Sequence, residues 1–358
     1  METTNLSKKV DFSGHNLFIG MDVHEKSWNV SIFFEDMFIR SFTQQPSAEA
    51  LMLLLKRDYP RANYLCGYES GYCGFSIQRR LNTLGIACQV MHAGDIPQTN
   101  KEKLSKRDPV DSKKIGEALA TRKAKPIYIP DEESEQDRGL VRYRDRLQKD
   151  ITRCKNRIRS TLYEFGIILP DAFKKGWSNR FIQWLNETEQ IIGSTRTTLN
   201  HMIEQMVTLR GLLLKVNRDI RKLQNSPRYK QRVQYLTSIS GIGPLSAMII
   251  LTELIDIRRF SSFRNLNSYV GFYPMEHSTS DKEHKGGIMI RHNKHLRKLL
   301  VEDAWVAMRH DPALTLAFNQ WSVRMTGKRA IVKVARKLLS RIRYVLINET
   351  VYTKGIVK

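Results

Sequence analysis

Four carboxylates stand at positions from which they could bind a divalent metal ion together. Asp22 and Glu69 each close a short apolar run of the kind that forms a strand, and Asp108 and Asp111 are three residues apart at the start of a helical pattern. Carboxylates that converge repel one another unless cations lie between them, and hard oxygen ligands suit Mg²⁺. We therefore predict that the four residues bind Mg²⁺, with two ions stabilising the attacking and leaving oxygens of a phosphodiester exchange. Any one of these acids alone could instead be a solvated turn residue.

The first third of the chain has the pattern of a sheet that would position these residues. Strand patterns cover residues 16–23, 27–34, 37–42, 63–69 and 87–91, and helical patterns cover 47–57, 74–84 and 109–121. The order β-β-β-α-β-α-β-α predicts a mixed sheet flanked by helices, as in a ribonuclease H-like domain. The aromatic residues Trp28, Tyr68 and Tyr72 are expected in the core or on a face of this sheet.

The balance of charge predicts a polyanionic partner. The 358 residues include 59 Lys and Arg against 36 Asp and Glu, a net charge of +23. The charge is clustered, with 15 Lys and Arg against 4 Asp and Glu in residues 282–343, and 9 against 4 in residues 101–125. Clustered cations release counterions from phosphates, so this pattern favours nucleic acid over a basic surface kept only for solubility. Lys333 and Lys337 are four residues apart, so they share a helix face and are predicted phosphate contacts.

Composition excludes several classes of protein as first interpretations. No apolar run approaches the roughly 18 residues that a membrane helix needs. The N-terminal residues are polar and do not resemble a signal peptide. The four cysteines are scattered, without the spacing of a disulfide scaffold or a zinc knuckle. We expect a cytoplasmic protein without a membrane partner.

The middle of the chain has the period of long helices. Apolar residues recur in steps of four and three over residues 147–161 and again over 202–223, separated by a segment that contains Pro170, Gly176 and Trp177. This pattern predicts an antiparallel coiled-coil-like pair that serves as a spacer or an oligomerisation arm. The alternative is that both are ordinary core helices of a larger bundle. An arm of this kind favours a homodimer or a homotetramer.

A glycine-rich turn opens the C-terminal part. Gly241 and Gly243 precede Pro244 and an apolar helical pattern at 245–254, the form of a helix-hairpin-helix motif that exposes backbone N–H groups to a phosphate. A tight turn without a ligand is the alternative. Further helical patterns follow at 297–308 and 330–348. The chain is therefore predicted to contain an α/β domain at 1–130, a helical arm at 131–235 and a mainly helical domain at 236–358.

Two groups of short motifs carry a family resemblance. The first group is GMDVHEK at 20–26, YESG at 68–71 and KRDPVDSKK at 106–114. The second is GIGP at 241–244, YVGFYP at 269–274, HST at 277–279, GGI at 286–288, and Asn293 with Leu296 and Arg297. In order and spacing they resemble transposases of insertion-sequence family 110, including its subgroup 1111, over nearly the whole chain.

The resemblance implies a DNA recombinase of a mobile element, guided by a structured non-coding (bridge) RNA. It also implies a bacterial or archaeal source and association with the nucleoid. It implies that the N-terminal domain is RuvC-like, with its Asp-Glu-Asp-Asp residues at Asp22, Glu69, Asp108 and Asp111. In the family these carboxylates and a serine of the C-terminal transposase domain form a composite site. The serine attacks a DNA phosphodiester and holds the strand as phosphoserine until it is rejoined.

The family's serine loop has more than one alignment here. It usually reads Ser-Gly, Ser-Ser-Gly or Ser-Thr-Gly, whereas this chain reads His277-Ser278-Thr279-Ser280-Asp281, so that Ser280 replaces the glycine. The Ser-Thr-Gly form and the preceding His277 favour Ser278 as the nucleophile. Ser280 is the second candidate and Thr279 the third. A loop serine that contacts phosphate without chemistry is the alternative.

Basic residues around the serines are predicted to position the scissile strand rather than to react. These residues are Lys282, Lys285, Arg291 and Arg297. Two other functions stay open from the sequence. One is a metal-dependent RuvC-like nuclease or junction resolvase that uses water, and the other is a nucleic-acid-binding protein without catalysis. The complete set of four carboxylates argues against the second, and the long C-terminal block argues against the first.

Overall fold

The computed structural model describes residues 11–96, 108–174, 176–279 and 282–353, and of residues 108–109, 274–279 and 282–287 it describes the backbone. The chain divides into two compact units, residues 1–129 and 130–358. Each unit has its own apolar core.

The first unit is built on a five-stranded mixed sheet with the order β3-β2-β1-β4-β5. The strands are β1 (Asn16–Val23), β2 (Trp28–Phe34), β3 (Met37–Gln44), β4 (Asn63–Glu69) and β5 (Ala87–Met91). β1 pairs antiparallel with β2 and parallel with β4, and β4 pairs parallel with β5. The predicted order of strands and helices along the chain is confirmed, because the alternation of apolar residues and turn residues in this region is local and unambiguous.

Helices cover both faces of this sheet. They are α1 (Ala48–Asp58), α2 (Ser76–Thr83) and α3 (Asp108–Ala120). Leu51 and Leu81 pack on one face with Ile19, and Ile115 packs on the other face with Phe18. α1 begins where the Ser47 side chain accepts a hydrogen bond from the backbone N–H of Ala50. The unit is therefore a three-layer α/β domain.

The second unit begins with two long antiparallel helices. These are α4 (Glu132–Glu164) and α6 (Gly193–Gln224), with the short α5 (Asn179–Glu187) between them. Arg144 of α4 lies beside Asn217 of α6, and Arg157 of α4 lies beside Gln205 of α6, so the two helices run in opposite directions. Near one end the pair has a small core that includes Cys154, Phe181 and Met206. Phe173, Trp177, Phe181 and Trp184 contact one another through their rings there.

The C-terminal part of the second unit is mostly helical. It contains α7 (Lys230–Thr237), α8 (Pro244–Leu254), α9 (Phe263–Val270), α10 (Lys294–His310), α11 (Pro312–Ser322) and α12 (Gly327–Asn348). Between α9 and α10 the chain forms a two-stranded antiparallel hairpin, β6 (Pro274–Thr279) and β7 (Lys282–Ile288). The predicted domains 131–235 and 236–358 share this unit, because Leu147 of α4 and Ile220 of α6 belong to the same core as Leu251 and Leu338.

Within the described residues, no helix combines the length and the apolar character needed to cross a membrane.

Candidate active site

Two of the predicted carboxylates lie side by side at one edge of the sheet. β1 and β4 run parallel with Met21 opposite Tyr68, so the next residues, Asp22 and Glu69, come at the carboxyl ends of neighbouring strands. β1 is the middle strand and is buried over most of its length, whereas the Asp22 side chain is 22% exposed and Glu69 is exposed. The sheet thus presents both acids to solvent at the same edge.

Helix α3 reaches this edge because glycine allows its backbone to lie directly on β1. A Cβ atom at Gly20 would lie 2.1 Å from the carbonyl oxygen of Ser112 and 2.2 Å from the backbone nitrogen of Gly116. Asp111 immediately precedes Ser112, and Gly20 lies two residues before Asp22. The close contact therefore brings the start of α3 to the end of the strand that carries Asp22.

The side chains of Asp22 and Asp111 each lie beside a basic residue. The Nε2 of His24 is 3.2 Å from Oδ2 of Asp22, and the Nζ of Lys114 is 3.7 Å from Oδ1 of Asp111. Among the side chains that the structure describes, no three Asp, Glu, His or Cys residues are grouped as a metal site. Asp108 begins α3, but its side chain lies outside that description. Carboxylate oxygens are nevertheless the donors that fit Mg²⁺, which needs few protein ligands and keeps several water molecules.

Sequence reasoning placed Tyr72 wrongly. Trp28 and Tyr68 are buried as expected, but the Tyr72 side chain is 72% exposed. Its hydroxyl lies 3.5 Å from the carbonyl oxygen of Val23, the residue after Asp22. The chain leaves the sheet after Glu69, and this carries Tyr72 out of the core to the edge where the acids lie.

The predicted serine loop is a β-hairpin. Ser278 belongs to β6, where it is paired with Glu283 of β7, and Thr279 is paired with Lys282. The expectation of a loop at 277–281 was wrong for its first three residues, because their backbone groups pair across the hairpin. Ser280, with Asp281, lies outside the described residues. Lys282 and Lys285 are on β7, and Arg291 is exposed in the segment that follows it.

Arg297 of α10 closes the base of the hairpin. Its Nη2 donates to the carbonyl oxygen of Gly271 at 2.8 Å and also to the carbonyl oxygen of Met289. These carbonyls lie on opposite sides of the hairpin in the chain. Burial lowers the pKa of Arg297, and the guanidinium is half-buried. The group that was predicted to bind phosphate thus binds the protein backbone.

A buried network beside Arg297 was missed by sequence reasoning. The Glu253 side chain is 1% exposed, and Arg142 of α4 donates to its two carboxylate oxygens at 2.6 and 2.7 Å. Asn293 Nδ2 donates to the same carboxylate at 2.8 Å, while Asn293 Oδ1 accepts from the first turn of α10. Burial alone would raise the pKa of Glu253, but the hydrogen bonds and charge of Arg142 hold that pKa below its usual value. The Asn293 of the family motif therefore starts α10.

The two glycines of the glycine-rich turn, Gly241 and Gly243, differ in how closely other atoms surround them. Gly241 has a φ of +89°, and a Cβ there would lie 2.6 Å from the Cβ of Ala307 and 2.7 Å from the carbonyl oxygen of Asp303. Packing of the turn against α10 is thus enough to explain this glycine. Gly243 precedes the first turn of α8, and a Cβ there would meet no other atom within 4 Å. Only the Gly243 side of the turn has the room for a phosphate that the motif predicts.

Helix α12 presents a basic face next to α11. The ammonium groups of Lys333 and Lys337 lie 5.3 and 5.5 Å from the ring centroid of Trp321, and both side chains are exposed. The indole therefore holds the two cations close together on one helix face. Residues 312–348 contain eight Lys and Arg and no Asp or Glu. This surface has the charge that phosphate backbones require.

Two family models match the chain in separate regions. A model described as the transposase IS116/IS110/IS902 family matches residues 233–319, which include Ser278. A second model, for DEDD transposases of the IS110 type, matches residues 19–167, which include all four predicted metal ligands.

Similar proteins carry the same description. The transposase for insertion sequence element IS1111A of Coxiella burnetii is 26% identical over 257 residues, which are 71% of this chain and 70% of that protein. The transposase for element IS1533 of Leptospira borgpetersenii is 24% identical over 296 residues, 81% of this chain and 84% of that protein. A Sinorhizobium fredii protein named as a transposase is 27% identical over 246 residues, but the match spans only 58% of its length.

The two models match separate parts of one chain, and each takes in one of the two candidate sites. Over these regions the chain is similar to transposases of the IS110 family.

Proposed function

We propose that this protein cuts and rejoins the DNA of its mobile element through a phosphoserine intermediate, with a Mg²⁺-binding carboxylate site and a structured guide RNA. The observation that carries the proposal is the convergence of Asp22 and Glu69 at neighbouring strand ends, with the start of α3 laid against the same strand. Acids placed in this way serve phosphodiester chemistry far better than they serve folding, because they repel one another.

The chain's own residues divide the work. Asp22, Glu69, Asp108 and Asp111 would hold Mg²⁺, which supplies charge stabilisation for the oxygens that exchange on phosphorus. Ser278 is the proposed nucleophile, and Ser280 is the second candidate. Lys333 and Lys337 would bind the phosphate backbone, as would Lys282, Lys285 and Arg291.

The covalent step conserves the number of phosphate ester bonds. The Ser278 Oγ attacks phosphorus, a P–O bond to serine forms, and one P–O bond to a deoxyribose breaks. The serine proton ends on the leaving deoxyribose hydroxyl. Rejoining reverses these events with a hydroxyl of another strand, so no ATP is consumed.

Base specificity would come from the RNA rather than from the protein. The exposed basic residues of α12 suit sequence-independent phosphate contacts, which position a nucleic acid without reading its bases. DNA of the donor and the target, and the guide RNA, are therefore the proposed partners. Holding two duplexes favours a homodimer or a homotetramer, with α4 and α6 as the arm.

Trapping tests the proposal. The full chain is incubated with Mg²⁺, DNA carrying the joined ends of its element, and RNA transcribed from the element's non-coding flank. We expect a covalent protein–DNA adduct that maps to Ser278, that Ser278→Ala abolishes, and that Ser280→Ala retains at least in part. Removing a loop or strand hydroxyl costs little folding energy, so a large loss would be chemical in origin.

Other outcomes separate the alternatives. An adduct on Ser280 would move the nucleophile by two residues. DNA cut without any adduct on residues 278–280 would favour a nuclease that uses water. Such a nuclease could work with the carboxylates of the first unit alone, and it would leave strands cut and not rejoined.

A further inference from the structure

We propose that Arg297 is a positioning residue that clamps the two ends of the hairpin carrying Ser278, instead of a phosphate contact. The inference rests on the proposed role of Ser278. It assigns to a single side chain of α10 the placement of the nucleophile's strand.

The first support is the set of bonds that Arg297 makes. Its Nη2 donates to the carbonyl of Gly271, before β6, and to the carbonyl of Met289, after β7. One guanidinium nitrogen therefore joins the two ends of the segment that contains the hairpin. Backbone carbonyls are fixed points of the fold, so a bond to each of them restricts how the hairpin leaves the helical part of the unit.

The second support is that the backbone is shaped to receive this guanidinium. Gly271 ends α9 in the left-handed region at φ +85°. A Cβ at this position would lie 2.2 Å from Nη2 of Arg297 and 2.3 Å from the Cβ of His292. Any side chain at 271 would displace the guanidinium from the carbonyl, so the glycine and the arginine form one arrangement.

The third support is that the helix bearing Arg297 is itself fixed at its start. Asn293 caps α10 and donates to the buried Glu253, and its backbone N–H donates to the carbonyl of Tyr269 at 2.9 Å. The backbone N–H of Met289 donates to the carbonyl of Tyr273 at 3.0 Å. The Asn293 bond to Tyr269 anchors the start of α10 to the chain before β6, and the Met289 bond to Tyr273 pairs the same two chain ends that Arg297 joins.

The consequence for catalysis is geometric. A nucleophile must lie within a fraction of an ångström of its productive position, and a displacement of about 1 Å can cost about 100-fold in rate. Without the clamp, the hairpin is joined to the helices at its base by fewer bonds. Loss of Arg297 should thus slow the chemical step while leaving DNA binding nearly intact.

The test compares Arg297→Gln with Lys298→Gln in the full chain. Lys298 is the next residue of α10, is 67% exposed and carries the same charge. Adduct formation at saturating DNA should slow by about 100-fold in Arg297→Gln, with the DNA dissociation constant changed by less than about 3-fold. Lys298→Gln should keep the wild-type rate. Arg297→Lys should recover part of the rate, because an ammonium group can reach the carbonyls but lacks the planar fork.

A second measurement does not depend on the chemistry. Amide hydrogen exchange of residues 274–288 should be faster in Arg297→Gln than in the wild type, with exchange of α12 unchanged. Weaker DNA binding and a flatter salt dependence at an unchanged saturated rate would make Arg297 a phosphate contact and overturn the proposal, as would unchanged hairpin exchange. If the wild type forms no adduct, the phosphoserine function fails, while hydrogen exchange still decides whether the clamp exists.

Discussion

The two candidate sites are held in place by different parts of the polypeptide. In the first unit, Asp22 and Glu69 lie at the carboxyl ends of two interior strands of the sheet, and α3 lies on β1 through a backbone contact at Gly20. In the second unit, Ser278 is on a two-stranded hairpin whose base is joined by the Arg297 side chain. The proposed acidic site is thus a product of the unit's folding, whereas in the proposed clamp the placement of the serine depends on a side chain that can be removed. Substitutions should therefore separate stability from activity differently in the two regions.

The largest effect is expected at the acids. Asp22→Ala, Glu69→Ala or Asp111→Ala should lower recombination at least about 1000-fold, because several kcal/mol of charge stabilisation is removed. Thermal unfolding and RNA binding should stay close to wild type. Glu25→Ala, at an exposed acid three residues after Asp22, is the control and should recombine normally. Wild-type recombination by Asp111→Ala would remove that residue from the site.

Gly20→Ala tests whether the backbone contact between β1 and α3 places the acids. Wild-type stability and recombination in this variant would contradict the contrast between the two regions. The added Cβ meets backbone atoms of α3 that cannot rotate away, and overpacking of this kind costs about 1–3 kcal/mol. We expect a lower unfolding midpoint together with loss of recombination, since the start of α3 must move from β1. Gly139→Ala is the matched control, because its Cβ meets nothing within 4 Å and it lies within α4. That change should stabilise the helix by up to about 1 kcal/mol.

Substitutions on the basic face of α12 should weaken nucleic-acid binding without slowing the chemical step. Replacing both Lys333 and Lys337 with Glu should weaken nucleic-acid binding and lower the slope of log K against log [salt] by about 2, one for each phosphate contact. The saturated rate of adduct formation should change little. The control replaces Lys215 and Lys222 of α6 with Glu, which changes the net charge of the protein by the same amount. Equal losses from both pairs would mean that total charge, and not this face, governs affinity.

The smallest effect on activity concerns Asp303, a buried acid of α10, whose titration affects stability. Burial raises the pKa of Asp303 to about 7, although the hydroxyl of Ser246 donates to its Oδ1 at 2.9 Å. The folded chain then keeps a proton that the unfolded chain releases near pH 4, so this group's contribution to stability is complete at low pH and is lost as the pH rises towards 7. The loss is at most about 1.4 kcal/mol per pH unit in that window. Asp303→Asn should flatten the pH dependence of thermal unfolding between pH 4 and 7, and an unchanged slope would contradict the raised pKa.

Much of the first unit could be predicted from the sequence because its signals are local. The strands at 16–23, 63–69 and 87–91 coincide with the observed β1, β4 and β5. The spacing of apolar residues likewise identified α4 and α6, where Ile151, Cys154 and Ile158 are buried on one stripe. Tyr72 was misplaced because an aromatic residue next to a strand carries no periodic signal of its own.

The amino-acid sequence by itself determined the order of strands and helices along the first unit, the long helices, the clustering of charge and the types of residue available for chemistry. These properties depend on neighbours within a few positions, where periodicity and propensity act. Only the tertiary structure decided that Ser278 lies in a strand, that Arg297 binds two carbonyls, and that Arg142 pairs with Glu253 across 111 residues. Hydrogen-bond partners of buried groups are chosen by which backbone and side-chain atoms packing brings together, and no local pattern of residues contains that information.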